Sequence, residues 1–218
     1  MSRPLGVFLV ALITALAGCA NERHLRCDDL RELRTLDLLE DSVEPDEALK
    51  WLMKGQGANW GHRNRTDYID GAVAYSWEYT WGRYTIYLGK QGKRFISLQP
   101  NANVKFTISD AVRCFGQPTH YQAYYQLKAD VYIFEFNLWY PATGTVVVHR
   151  FTSNELEDVS LSGHFKVNEI VYVRPGGFEM MMRSFKALEW FGDDGQKALS
   201  VLKPWPGDFG SLKVNVVR

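Results

Sequence analysis

From residue 73 to residue 81 the chain alternates without a break. Val73, Tyr75, Trp77, Tyr79 and Trp81 are interleaved with Ala74, Ser76, Glu78 and Thr80. A helix would scatter these bulky side chains around its axis, whereas a period of two puts them all on one side of a β-strand. Such a strand needs a cover for its aromatic face or a ligand that uses it. Aromatic residues make up 14% of the chain, enough bulk for a substantial core. Ala74, Ser76 and Glu78 read as the solvent-facing side, which puts the aromatics inside, beneath a helix. The competing reading exposes Trp77 and Tyr79, together with Tyr132, as a surface for stacking sugars or a partner protein.

The same period recurs downstream. Residues 84–88 and 94–98 read as strands joined by a glycine-flanked loop at 89–93. Residues 121–127, 131–140 and 145–151 follow, with a Pro141-Ala142-Thr143-Gly144 turn before the last. In 131–140 Tyr132, Phe134, Phe136 and Leu138 face one way, and Glu135 and Asn137 the other. Residues 167–173 complete the set, and residues 212–217 read as an edge strand.

Helical signals punctuate these runs. Asp28 and Asp29 open a leucine-bearing segment, and Pro45 with its acidic neighbours opens another, before a glycine-rich loop over 55–65. Thr107 and Asp110 have capping-box spacing, and Ile108, Ala111, Val112 and Phe115 form a two-turn apolar stripe. Gly116 then supplies a left-handed C-terminal position, and Pro118 blocks continuation. Phe178, Met181, Met182, Phe185 and Leu188 have helical spacing, and 198–202 suggests a short helix. The expected fold class is α+β, with antiparallel sheet packed against a few short helices.

The N-terminus is different in kind. Residues 7–17 are apolar apart from Thr14, too short to span a bilayer and the right length for the core of an export signal. They run into Leu16-Ala17-Gly18-Cys19, which resembles the bacterial lipobox. The resemblance implies that residues 1–18 are a signal peptide, that the Cys19 thiol is joined to diacylglycerol, and that the mature chain of residues 19–218 begins there. Membrane attachment through lipid on Cys19 follows. In a cell with two membranes, Ala20 in place of a retaining aspartate permits export to the outer membrane. In a cell with one membrane the anchor lies in the outer leaflet.

With Cys19 lipidated, Cys27 and Cys114 remain of the three cysteines. They are either a disulfide suited to an exported protein or two separate thiols. Cys114 also lies near His120 across Phe115-Gly116-Gln117-Pro118, a nucleophile–base pairing in outline. Beside an apolar stripe, however, a thiol without a positive neighbour stays protonated and inert. We therefore expect no catalytic residues. The five histidines are scattered, and Asp193, Asp194 and Asp208 do not match a calcium loop, so neither metal nor cofactor is expected. The formal net charge is zero, which gives no reason to expect nucleic acid as a partner.

Thr107-Ile108-Ser109-Asp110, then Phe115-Gly116-Gln117-Pro118, then Leu138-Trp139-Tyr140-Pro141 and Gly144 make a capped helix, a Gly-x-Pro and antiparallel strands. Over residues 107–151 this order resembles the SmpA/BamE group of small bacterial lipoproteins. The resemblance implies that group's fold and a part in outer-membrane protein assembly. A single α+β domain over residues 19–218 is expected; the alternative reads residues 71–98 as a second copy of the strands without the Gly-x-Pro, giving two similar halves, about 27–100 and 101–175, plus a C-terminal helix. Two functions are carried forward. One is a non-catalytic envelope lipoprotein that binds or scaffolds a partner protein. The other is a lipid-anchored ligand binder or enzyme with an aromatic cleft lined by Trp77, Tyr79 or Tyr132.

Overall fold

The computed structural model describes residues 23–33, 63–67, 73–79, 81–88, 94–176, 181 and 200–217. Its elements, in chain order, are β1 (Arg23–His24), α1 (Cys27–Leu33), β2 (Arg63–Asp67), β3 (Val73–Tyr79), β4 (Gly82–Leu88), β5 (Arg94–Pro100), β6 (Val104–Lys105), α2 (Ile108–Phe115), β7 (His120–Lys128), β8 (Val131–Tyr140), β9 (Thr145–Ser153), β10 (Glu169–Tyr172), β11 (Lys203–Pro204) and β12 (Asn215–Val217). The fold is mostly antiparallel sheet with two short helices among these elements. None of the helices among the described residues is long and apolar enough to cross a membrane.

Ten strands form one sheet in the order β11-β7-β8-β9-β10-β5-β4-β3-β2, and β12 also pairs with β7. Two antiparallel meanders, β2 to β5 and β7 to β9, therefore lie side by side. β10 is inserted between them, pairing with β5 on one side and β9 on the other. The β12–β7 pairing is parallel. β1 and β6 form a separate two-stranded parallel ribbon.

One face of the sheet carries the main core. Trp77, Tyr84, Leu98, Ile170, Val147, Leu138 and Tyr121 stand in register across it. Phe134 and Phe136 extend this layer along β8, and Leu25, Leu30, Phe106, Ile108 and Ala111 pack with it from α1, α2 and the segments leading into them. α2 is built as its sequence dictates. The Thr107 Oγ1 accepts from the Asp110 N–H at 3.2 Å, and Asp110 Oδ2 accepts from the Thr107 N–H at 2.9 Å. Gly116 ends it at φ 83° and ψ −166°. That corrects the expected left-handed geometry, because this region of positive φ with extended ψ is open in practice to glycine alone.

Four further expectations are corrected. The loop expected over 55–65 gives way at Arg63 to strand β2, Arg63–Asp67, on the outer edge of the sheet. Ala74, expected in solvent, is buried, and Asn137, also expected there, is 2% exposed. Both lie on the opposite face, which at one end has its own core of Phe95, Trp139, Val146, Val148, Val171, Val173 and Met181. The edge strand expected over 212–217 is confined to Asn215–Val217. Met181 and Ser200 are helical. The rest of the helix expected over 178–188, the one expected from Pro45 and the 89–93 loop lie outside the described residues.

Candidate functional site

Cys19 and the leader lie outside the described residues. Cys27 and Cys114 are joined by a disulfide, Cα to Cα 5.1 Å, across 87 residues of sequence. The bond ties the start of α1 to the last turn of α2. It also takes Cys114 out of any nucleophilic pairing with His120, whose Nδ1 instead meets Thr119 Oγ1 at 2.9 Å. Asp208 is occupied too: its carboxylate accepts from the Ser211 N–H and hydroxyl, closing a turn. Among the described residues no group of His, Cys, Asp and Glu could hold a metal ion.

The three aromatics proposed as a surface are not brought together. Trp77 is 1% exposed and packs within the main core, its ring centroid 6.2 Å from that of Tyr84. Tyr79 pairs through its backbone with Gly82 at the far end of β3. Tyr132, on β8, is half-buried near the β7–β8 hairpin. Among the three, Tyr132 therefore has described surface exposure, and its surroundings are informative.

Leu127 stands directly opposite Tyr132 on the same face. Tyr125, edge-on to Tyr132 at 6.3 Å, forms a floor with Phe151. Val216 of β12 lies beside Tyr125 in the parallel ladder. The Tyr125 hydroxyl donates to the Glu157 carbonyl at 3.1 Å, which holds the Leu156 loop over the same floor. Leu127 is 53% exposed, and Leu156 and Val216 are each 50% exposed. Burial first, and then the Glu157 and Asp158 carboxylates, push the Tyr125 phenol pKa up. The sequence offers no signal for this cluster, because its members come from three separate segments joined by register.

The opposite face carries a second arrangement that the sequence hides. Polar side chains lie buried in two pairs, Ser97 with Glu169 and Asn137 with Gln122, and Val148 stands between the pairs in the ladder. Trp139 Nε1 and Asn137 Nδ2 both donate to Gln122 Oε1, at 3.2 and 3.3 Å. Tyr124 OH and Arg150 Nε both donate to Glu135, at 2.8 and 2.7 Å. Ser97 Oγ donates to Glu169 Oε1 at 2.5 Å. Burial raises the Glu169 pKa despite Ser97, Arg150 and Gln99, which favour its charged form. Buried polar groups of this kind fix register when satisfied and cost stability when charged and under-compensated.

A pH prediction follows. A carboxyl whose folded pKa is raised binds its proton more tightly folded than unfolded. Stability then falls as pH rises from the ordinary carboxyl value through the raised one. Glu169→Gln keeps an acceptor for Ser97 and removes the charge. We expect it to melt higher than the parent at pH 7, with the gap closing towards pH 4 in thermal melts. A variant that melts lower at pH 7 would mean that Arg150 outweighs burial.

Comparison with protein-family models, with curated proteins and with solved structures found no match for this chain.

Proposed function

We propose that the chain is a lipid-anchored protein of the bacterial envelope, held by diacylglycerol on Cys19, that binds or scaffolds a partner protein and catalyses no reaction itself. The observation that carries this reading is the division of the cysteines. Cys27 and Cys114 are consumed by each other in a disulfide, a bond typical of exported proteins. Cys19, at the end of the apolar leader, is left for lipid. Ala20, Asn21 and Glu22 alone separate it from Arg23, where the β1–β6 ribbon begins.

The alternative, an aromatic cleft for a ligand or substrate, is less well supported because Trp77 is spent on the core. We further propose that the two meanders are tandem copies of one unit. Each follows a short helix, α1 or α2, in the order of the described elements.

Each buried methylene of an acyl chain contributes about 0.8 kcal/mol to membrane attachment, so two or three chains bind firmly. Cys19→Ser is therefore expected to move the protein from the membrane pellet to the soluble or uncleaved precursor fraction. Fractionation followed by immunoblotting reads this out. A Cys19→Ser protein that is processed and pellets like the parent would contradict the proposal.

A further inference from the structure

We infer that the corner of the sheet around Leu127, Tyr132, Leu156 and Val216 is the surface on which the partner docks, and that the docking segment of that partner is apolar on one side and basic at its edges. This rests on the partner-binding reading above and names where and what.

The apolar part comes from register. Leu127 and Tyr132 face each other across β7 and β8, and Val216 joins them beside Tyr125. Leu156 arrives from the loop after β9, held in place by the hydrogen bond from Tyr125 to the neighbouring Glu157 carbonyl. Scattered single aliphatics on a surface need no explanation, but several gathered over one aromatic floor do. The floor is rigid, because Tyr125 also packs against Phe134 at 5.1 Å. Tyrosine is among the residues enriched in binding hot spots, and Tyr132 with Tyr125 supplies that aromatic centre here.

The charge around it selects the occupant. Asp130, Glu155, Glu157 and Asp158 are all exposed and flank the patch residues in sequence; among the described residues Lys128 is the exposed cation beside Leu127. An anionic lipid surface would be repelled by this rim. A second copy of the chain docking through the same patch would set acid against acid. A segment carrying Lys or Arg beside its apolar residues satisfies both parts, and complementary rims of this kind speed encounter and fix orientation.

The test uses the full-length protein, with Cys19 intact, in cells. A photo-crosslinking residue replaces Leu127 or Leu156 in turn, and Ala142 as a control. Ala142 is exposed and lies in the turn at the opposite end of β8. Crosslinked peptides are identified by mass spectrometry. The expected result is a crosslink from positions 127 and 156, absent from 142, to a protein segment that contains apolar residues flanked by Lys or Arg. Its yield should fall at least five-fold when Glu155→Lys, Glu157→Lys and Asp158→Lys are combined, in a protein that melts like the parent. Crosslinks from the corner to lipid or to a second copy of the chain would overturn the proposal. A protein crosslinked from position 142 alone would overturn it while leaving the partner-binding reading intact. No crosslink from any position would count against both.

Discussion

Gly144→Ala is expected to destabilise the protein by about 3 kcal/mol or more, a large share of a typical stability of about 5–15 kcal/mol. Two causes act together. Gly144 has φ 63° and ψ 30°, a left-handed conformation that costs a residue with a Cβ about 1–2 kcal/mol. In addition, a Cβ there would lie 2.1 Å from the backbone oxygen of Val173. Backbone cannot swing aside as a side-chain tip can. The site also matters for topology. The Gly144 carbonyl accepts from the Val173 N–H at 2.8 Å, just past the end of β10, the strand that joins the two meanders. Forcing them apart loosens the middle of the sheet.

Gly116 supplies the contrast. It also has positive φ, but a Cβ built on it meets nothing within 4 Å. Gly116→Ala should therefore cost the conformational strain alone, about 1–3 kcal/mol. Urea unfolding of both variants checks the pair. Equal losses would mean that the close approach at Val173 relaxes freely.

The second large effect is expected on removing the disulfide. Cys27 and Cys114 close a loop over a sequence separation of 87. In the chain-entropy account a loop of that size restricts the unfolded chain by roughly 4–5 kcal/mol, and losses on removing native disulfides run to about 2–5 kcal/mol. The double variant Cys27→Ala, Cys114→Ala also frees the N-terminal segment. β1 offers two residues of pairing, so Leu25 and Leu30 would have to hold the segment by their own burial. We expect a markedly lower urea midpoint for the double variant, and for the parent after reduction. We also expect amide exchange to rise first in β1 and α1. A variant as stable as the oxidised parent, with unchanged protection there, would show that packing alone secures the segment.

Much of the fold was legible because it is locally determined. The alternation in 73–79 and 131–140, the cap at Thr107 and Asp110, and the stop at Gly116 and Pro118 each act within a few residues. What stayed hidden depends on partners far away in sequence. Arg63–Asp67 has no apolar alternation, and it is a strand because its backbone pairs with β3. β1 and β6 are two residues each and form by pairing across the chain. β10 was read as a strand, but nothing local says that it lies between β9 and β5 rather than at an edge. Polarity on alternate positions, as at Asn137, normally means solvent, whereas here Asn137 is buried and donates, with Trp139, to Gln122.

The site divides in the same way. Parity singled out Cys27 and Cys114. Tyr132 was named for its aromatic ring, but Leu127, Leu156 and Val216 could not be gathered around it without the register of β7, β8 and β12. Trp77 shows the converse: an aromatic face reads alike whether it is buried or exposed, until the covering helix is placed.

Anchoring at Cys19 is the claim on which the functional account depends, and the mass of the mature N-terminal peptide tests it most directly. The protein is isolated from membranes in detergent, digested and measured without chemical removal of lipid. The account predicts a peptide that begins at Cys19 and carries a diacylglyceryl group on its sulfur. An unmodified N-terminus at any other residue, or a free thiol at Cys19, would contradict it.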